Sequence, residues 1–197
     1  FVFFLIYSIL LYQNYYNLST ILLNILSYNG IIILNIRVKG RIFMSITNVL
    51  YSRSKFLENV NDFLESHALS DWCIISIDIE RFKLFNNWYG QEAGDILLTN
   101  ISQYLLRIQQ MKGYLAGYFG GDHFFMCIPD DDQLINLIYK TIRSYIGIHS
   151  QNEGFLPIIG IYSIPDDHPD VATMCNNAQL AGSDVKGNFN KRISYFT

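Results

Sequence analysis

From Trp72 onwards the sequence predicts an α/β (α+β) domain with a ferredoxin-like βαββαβ core, an antiparallel central sheet with flanking helices. Three observations lead there. Apolar runs and helically spaced apolar positions alternate in the order β-α-β-β-α-β between Trp72 and Ile164. Two of the runs meet at Gly120-Gly121, a glycine pair that marks a hairpin. Half of the 197 residues are apolar and 16% are charged, so a large core can be buried.

The elements follow in order. Phe56, Val60, Phe63 and Leu64 recur at helical spacing, which predicts an amphipathic helix from Ser54 to about Ser66. Trp72 to Ile79 is a β-branched run that fits a strand buried on both faces, with Asp78 near its exit. Ala93, Leu97, Ile101, Leu105 and Ile108 mark a long helix from about Gln91 to Gln109. Tyr114 to Phe119 and Phe124 to Ile128 are the hairpin strands. Asp130, Asp131 and Asp132 then offer capping acids for a helix reaching about Ile146. Pro157 to Ile164 is a strand, Pro169 to Val185 a helix, and Arg192 to Phe196 a last strand.

The first forty residues differ. Phe1 to Tyr12 is apolar apart from Ser8, and Leu18 to Ile36 is apolar again, interrupted by Asn24, Ser27 and Asn29-Gly30. Arg37, Lys39 and Arg41 follow at once. About 19 apolar residues can cross a bilayer, and basic residues directly after them mark the cytoplasmic side. The expectation is that residues 1–41 hold membrane-spanning segments and a basic juxtamembrane linker, with a buried soluble helix as the alternative. A chain that begins with Phe is expected to be cut from a longer protein.

The formal charge of −3 carries no basic stripe, which argues against nucleic acid as a partner and is compatible with a single bound nucleotide. Cys73, Cys127 and Cys175 lie far apart in apolar surroundings without metal-ligand spacing, and are expected to be buried thiols in a reducing cytosol.

Chemistry concentrates at strand ends. In this topology the strand carrying Asp78 neighbours the hairpin, so Asp78 and Asp122 reach one sheet edge, where two carboxylates could hold a divalent metal over a nucleotide triphosphate. Lys83, five residues on, could neutralise phosphate oxygens. Asn86 and Asp95, placed on the next turn and at the start of the long helix, could read a purine edge, the carboxylate suiting guanine's paired N–H donors. Gly120 and Gly121 let backbone approach phosphate. Each feature alone has an ordinary structural explanation as a turn, a solvated acid or a helix stop; their conjunction does not.

Asp78-Ile79-Glu80-Arg81-Phe82-Lys83, Asn86, Tyr89-Gly90, Ala93-Gly94-Asp95 and Gly120-Gly121-Asp122-His123-Phe124 together resemble the GGDEF domain of diguanylate cyclases, with the signature degenerate as GGDHF. The resemblance covers residues 45–197; Ser52-Arg53 with Phe56 looks like the end of the family's opening segment, whose first half is eroded to Ser45-Ile46-Thr47-Asn48-Val49. It implies the palm-like fold of nucleotidyl cyclases and condensation of two GTP molecules into cyclic di-GMP between two domains of a homodimer. By the same resemblance Asp78, the Ile79 carbonyl and Asp122 would hold Mg2+ (or Mn2+), Asp122 also lying near the reacting hydroxyl. Lys83 and Lys186 would contact phosphates, and Asn86 and Asp95 guanine. The arginine expected four residues after Lys186 is Asn190, and the inhibitory R-x-x-D motif is replaced by Met111 and Tyr114 at its two ends.

His123 stands where the signature has glutamate. Magnesium prefers oxygen ligands, so the metal is expected to be held weakly. Losing about 3 to 4 kcal/mol of charge stabilisation slows turnover by roughly two to three orders of magnitude. The sequence therefore points to a GTP-binding regulatory domain with weak or no cyclase activity, in a membrane-anchored protein of the bacterial inner membrane whose GGDEF-like domain faces the cytoplasm. An EAL phosphodiesterase domain would follow it in the full-length protein. The alternatives are an active diguanylate cyclase and a dimerisation module.

Overall fold

The computed structural model describes residues 21–28, 31–38, 41–46, 50–66, 71–149 and 154–197. The chain divides into two units at Val49 and Leu50. In the first, β1 (Ile21–Tyr28), β2 (Ile31–Val38) and β3 (Arg41–Ile46) form an antiparallel sheet in the order β1-β2-β3, with Tyr28 opposite Ile31 and Val38 opposite Arg41. The run from Leu18 to Ile36 thus contains strands where a helix was expected; a continuous apolar run has no period that separates the two. Phe1 to Thr20 lie outside the described residues. Among the described residues no helix is long and apolar enough to cross a membrane.

The second unit begins with α1 (Arg53–Ser66), followed by β4 (Trp72–Ile79), α2 (Phe82–Tyr89), α3 (Gln91–Lys112), β5 (Leu115–Gly120) and β6 (His123–Pro129). Then come α4 (Asp132–His149), β7 (Pro157–Ser163), α5 (Val171–Ser183) and β8 (Ile193–Tyr195). The sheet order is β5-β6-β4-β7-β8. β4 is antiparallel to both β6 and β7, which is the ferredoxin-like pattern, and β8 extends it as a parallel edge beside β7.

Alternation along β4 divides its side chains between two faces. Ile74 faces α1 and α5 in a core with Phe56, Val60, Phe125, Cys127, Met174 and Ala178. The alternate residues Cys73, Ile75, Ile77 and Ile79, all buried, face the opposite layer, where α3 and α4 pack on each other and on the sheet. Helices therefore cover both faces rather than one. Full burial of such side chains contributes about 1.5–3 kcal/mol each.

Two features of the fold bear on the site. The stretch around Asn86 is a helix, α2, rather than a turn: Arg81, at φ 59°, swings the chain out of β4, and Gly90, at φ 89°, separates α2 from α3. Phe85 anchors α2, its ring meeting Phe155 edge-on at 5.4 Å. The second is the closeness of α5 to the sheet. A Cβ on Gly160 in β7 would collide with the Ala178 carbonyl oxygen and the Gly182 nitrogen of α5, so backbone rests on backbone. The three cysteines are free and buried; burial pushes the Cys127 and Cys175 thiols up to about 12.

Candidate nucleotide and metal site

Asp78 and Asp122 do converge. Asp78 is the second-to-last residue of β4, on the face that carries Ile74, and is buried at 8% exposure. Asp122 lies in the turn between β5 and β6, where Gly120 and Gly121 adopt φ of 99° and 61°. Those angles are costly for any residue with a side chain. The turn is pinned by Tyr118, whose hydroxyl donates to the Gly121 carbonyl at 2.9 Å. Asp122 Oδ2 accepts the Ile79 N–H at 3.2 Å, joining the hairpin to the end of β4 beside Asp78.

This arrangement raises the Asp122 pKa: burial is the main cause and the Asp78 charge the second, while His123 and the Ile79 N–H act the other way. Burial, Asp122 and Asp95 raise the Tyr118 hydroxyl, so Asp95 belongs to the same electrostatic neighbourhood.

Two cationic or basic groups meet one oxygen of Asp78. Lys186 Nζ lies 3.0 Å from Asp78 Oδ2, and His123 Nδ1 lies 3.6 Å from it. His123 Nδ1 is buried and has no hydrogen-bond partner. Lys83, the nearer lysine in sequence, is the second residue of α2 and is exposed, whereas Lys186 arrives from the turn after α5. Asn86 and Asp95 are brought close by the α2-α3 junction: a Cβ on Gly94, next to Asp95, would collide with the Asn86 amide. The Asn86 Oδ1 atom is buried without a partner.

Glu80 and Arg192 escaped the sequence reading. Arg192 Nη2 pairs with Glu80 Oε2, both side chains almost fully buried. Glu80 Oε1 accepts the Gly187 N–H at 2.8 Å, and Arg192 also donates to the Asn188 carbonyl at 3.2 Å. This buried pair fixes the loop that presents Lys186. The one available signal was an acid two residues beyond Asp78 at the end of a strand read as buried.

Two buried-edge carboxylates and the Ile79 carbonyl are hard oxygen donors that fit one Mg2+, which ordinarily takes one or two carboxylates plus water and phosphate oxygens. Beside these donors stand the His123 imidazole and the Lys186 ammonium. Among the described residues no group of three His, Cys, Asp or Glu gathers at metal-holding spacing.

Such a sheet, with an acidic turn beside an acidic strand end, offers a place for a divalent cation and a phosphate-bearing ligand. Residues 45–192 match the family model described as diguanylate cyclase, GGDEF domain, and the chain belongs to that family. It is 36% identical over 149 residues to the probable diguanylate cyclase DgcE of Escherichia coli, covering 71% of this chain and 13% of that protein. It is 33% identical over 115 residues to the E. coli diguanylate cyclase DgcP, covering 57% of this chain and 33% of that one. The chain thus spans a third or less of these relatives' lengths. Among solved structures, the GGDEF domain of DgcB from Caulobacter crescentus, in complex with c-di-GMP, aligns with a TM-score of 0.57 at 19% identity, covering 74% of this chain and 88% of that one. The active GGEEF domain of a Vibrio cholerae diguanylate cyclase aligns at 0.55 and 22% identity, covering 76% and 98%. These two likenesses establish the fold.

Proposed function

We propose that this chain is a GTP-binding regulatory domain of cyclic di-GMP signalling with weak or absent cyclase activity. The observation that carries this is His123, whose Nδ1 lies 3.6 Å from Asp78 Oδ2, at the position where the signature calls for a glutamate. An acid there would add negative charge for metal; the imidazole adds none when neutral. The features that would hold nucleotide remain. The unpartnered Asn86 Oδ1 can accept a base N–H, Asp95 is the neighbouring carboxylate, and the open Gly120-Gly121 backbone and Lys186 can meet phosphates. Asp78, Asp122 and the Ile79 carbonyl would hold one Mg2+, which when bound supplies charge neutralisation for triphosphate oxygens. Asp122 would also lie close to the reacting ribose hydroxyl.

Homodimerisation, a downstream EAL phosphodiesterase domain and membrane attachment through residues 1–41 belong to the same proposal. The last rests on apolar runs followed by Arg37, Lys39 and Arg41. A second reading, an active diguanylate cyclase, is favoured by His123 Nδ1, a ring nitrogen without a hydrogen-bond partner that could serve a transition ion such as Mn2+.

The test is calorimetric titration of the chain with GTP, then incubation with GTP and Mg2+ or Mn2+ and chromatography for cyclic di-GMP. Saturable binding without product supports the regulatory domain. Sustained product with Mg2+ sinks it, product with Mn2+ alone assigns the second reading, and neither binding nor product leaves a dimerisation module.

A further inference from the structure

On the face opposite α3 and α4, α1, the β5-β6 hairpin and α5 enclose a recess of about 190 Å³. Its wall is aromatic, the Phe119 and Phe125 rings lying 4.3 Å apart between centroids. Ala172, in the first turn of α5, contributes only a methyl group and so leaves the space open. Arg53 stands at the mouth, exposed, its guanidinium carbon 5.8 Å from the Phe119 ring centroid, and among the described residues no acid pairs with it. Asn176 adds an exposed amide, and no carboxylate lines the recess.

An unpaired guanidinium over an aromatic wall suits a ligand that is planar and apolar at one end and anionic at the other. Size narrows the class. A cavity of about 150 Å³ accommodates benzene, whereas sites for drug-sized ligands run to about 300–1,000 Å³. A nucleotide is therefore too large for this recess, and a single ring with one carboxylate fits.

We propose that the recess binds a small aromatic carboxylate, its ring against Phe119 and Phe125 and its carboxylate on Arg53, with the Asn176 amide as a second donor. The proposal does not rest on nucleotide binding, since Asp78, Asp122 and Lys186 do not line the recess. His123 joins the two places: its ring lines the recess while Nδ1 faces Asp78. Occupancy is thus sensed at the altered signature position.

Benzoate is the probe, titrated into the full 197-residue chain by calorimetry and by NMR of the histidine ring signals, with His123→Gln used to assign His123. Benzyl alcohol serves as the neutral control and inorganic phosphate as the ringless one. Saturable benzoate binding is expected, with a shift of the His123 signal and with both controls at least about tenfold weaker. Arg53→Gln, a change at an exposed side chain, should weaken benzoate at least about tenfold. Ala172→Leu should abolish binding by filling the space; if that variant fails to fold, Arg53→Gln carries the test. Absence of saturation, phosphate binding as tightly as benzoate, or unchanged affinity in Arg53→Gln would overturn the proposal.

Discussion

Replacing Glu80 with Gln takes one charge out of an ion pair whose side chains are 8% exposed on Glu80 and 5% on Arg192. The amide oxygen of the new side chain can still accept the Gly187 N–H, and the guanidinium keeps the Asn188 and Leu156 carbonyls. What disappears is compensation for a buried positive charge. Breaking such a pair costs about 3–5 kcal/mol, and the retained acceptors place this case near the lower end, at about 3 kcal/mol. With a urea m-value of about 2 kcal/mol/M, the midpoint should fall by about 1.5 M. Circular dichroism during urea unfolding measures it, in the parent chain, in Glu80→Gln, in Arg192→Met and in the double variant Glu80→Gln with Arg192→Met. The double variant should recover most of the loss, because no charge is then left alone in the core. A single-variant loss below about 1 kcal/mol, or a double variant as unstable as the sum of the singles, would refute the reasoning.

Three further outcomes follow from the same geometry. His123→Glu should create or raise cyclic di-GMP synthesis in the presence of Mg2+, by about a hundredfold if the missing charge is worth roughly 3 kcal/mol, as chromatography of GTP reactions would read. Asp122→Asn should stabilise the metal-free protein at neutral pH. The folded-state pKa of Asp122 is raised, so folding binds its proton more tightly, and the stability that proton brings is lost as pH rises from the ordinary carboxylate range through the folded-state value. Urea midpoints in EDTA should therefore favour the variant near pH 7 and converge with the parent in acid; a variant less stable at pH 7 would contradict this. Gly160→Ala should cost about 3 kcal/mol or more, because the added carbon meets main chain of α5 that cannot rotate away, and thermal melts would show it.

The order of elements from Trp72 to Ile164 was legible because the long helices repeat apolar residues at helical spacing and the strands are short β-branched or aromatic runs, and the convergence of Asp78 with Asp122 follows from that order and the Gly120-Gly121 turn. α2 was not, since its eight residues contain Asn86-Asn87 and run into Gly90, which imitate a helix stop; its anchor is Phe85 against Phe155, a contact across the fold. The partner of Asp78 was equally hidden. Lys83 is near in sequence, yet Lys186 reaches the carboxylate because α5 lies against β7 and the Glu80–Arg192 pair holds the following loop. Tertiary contacts of this kind leave no local pattern.

Main chain touching main chain at Gly160 and Gly182 gives the helix no compressible cushion against the strand. The reach of an ammonium three residues past the end of that helix is consequently calibrated by missing methyl groups. A neutral, invisible-looking change on the far side of the layer could detune the electrostatic balance at the rim while leaving every charged residue in place.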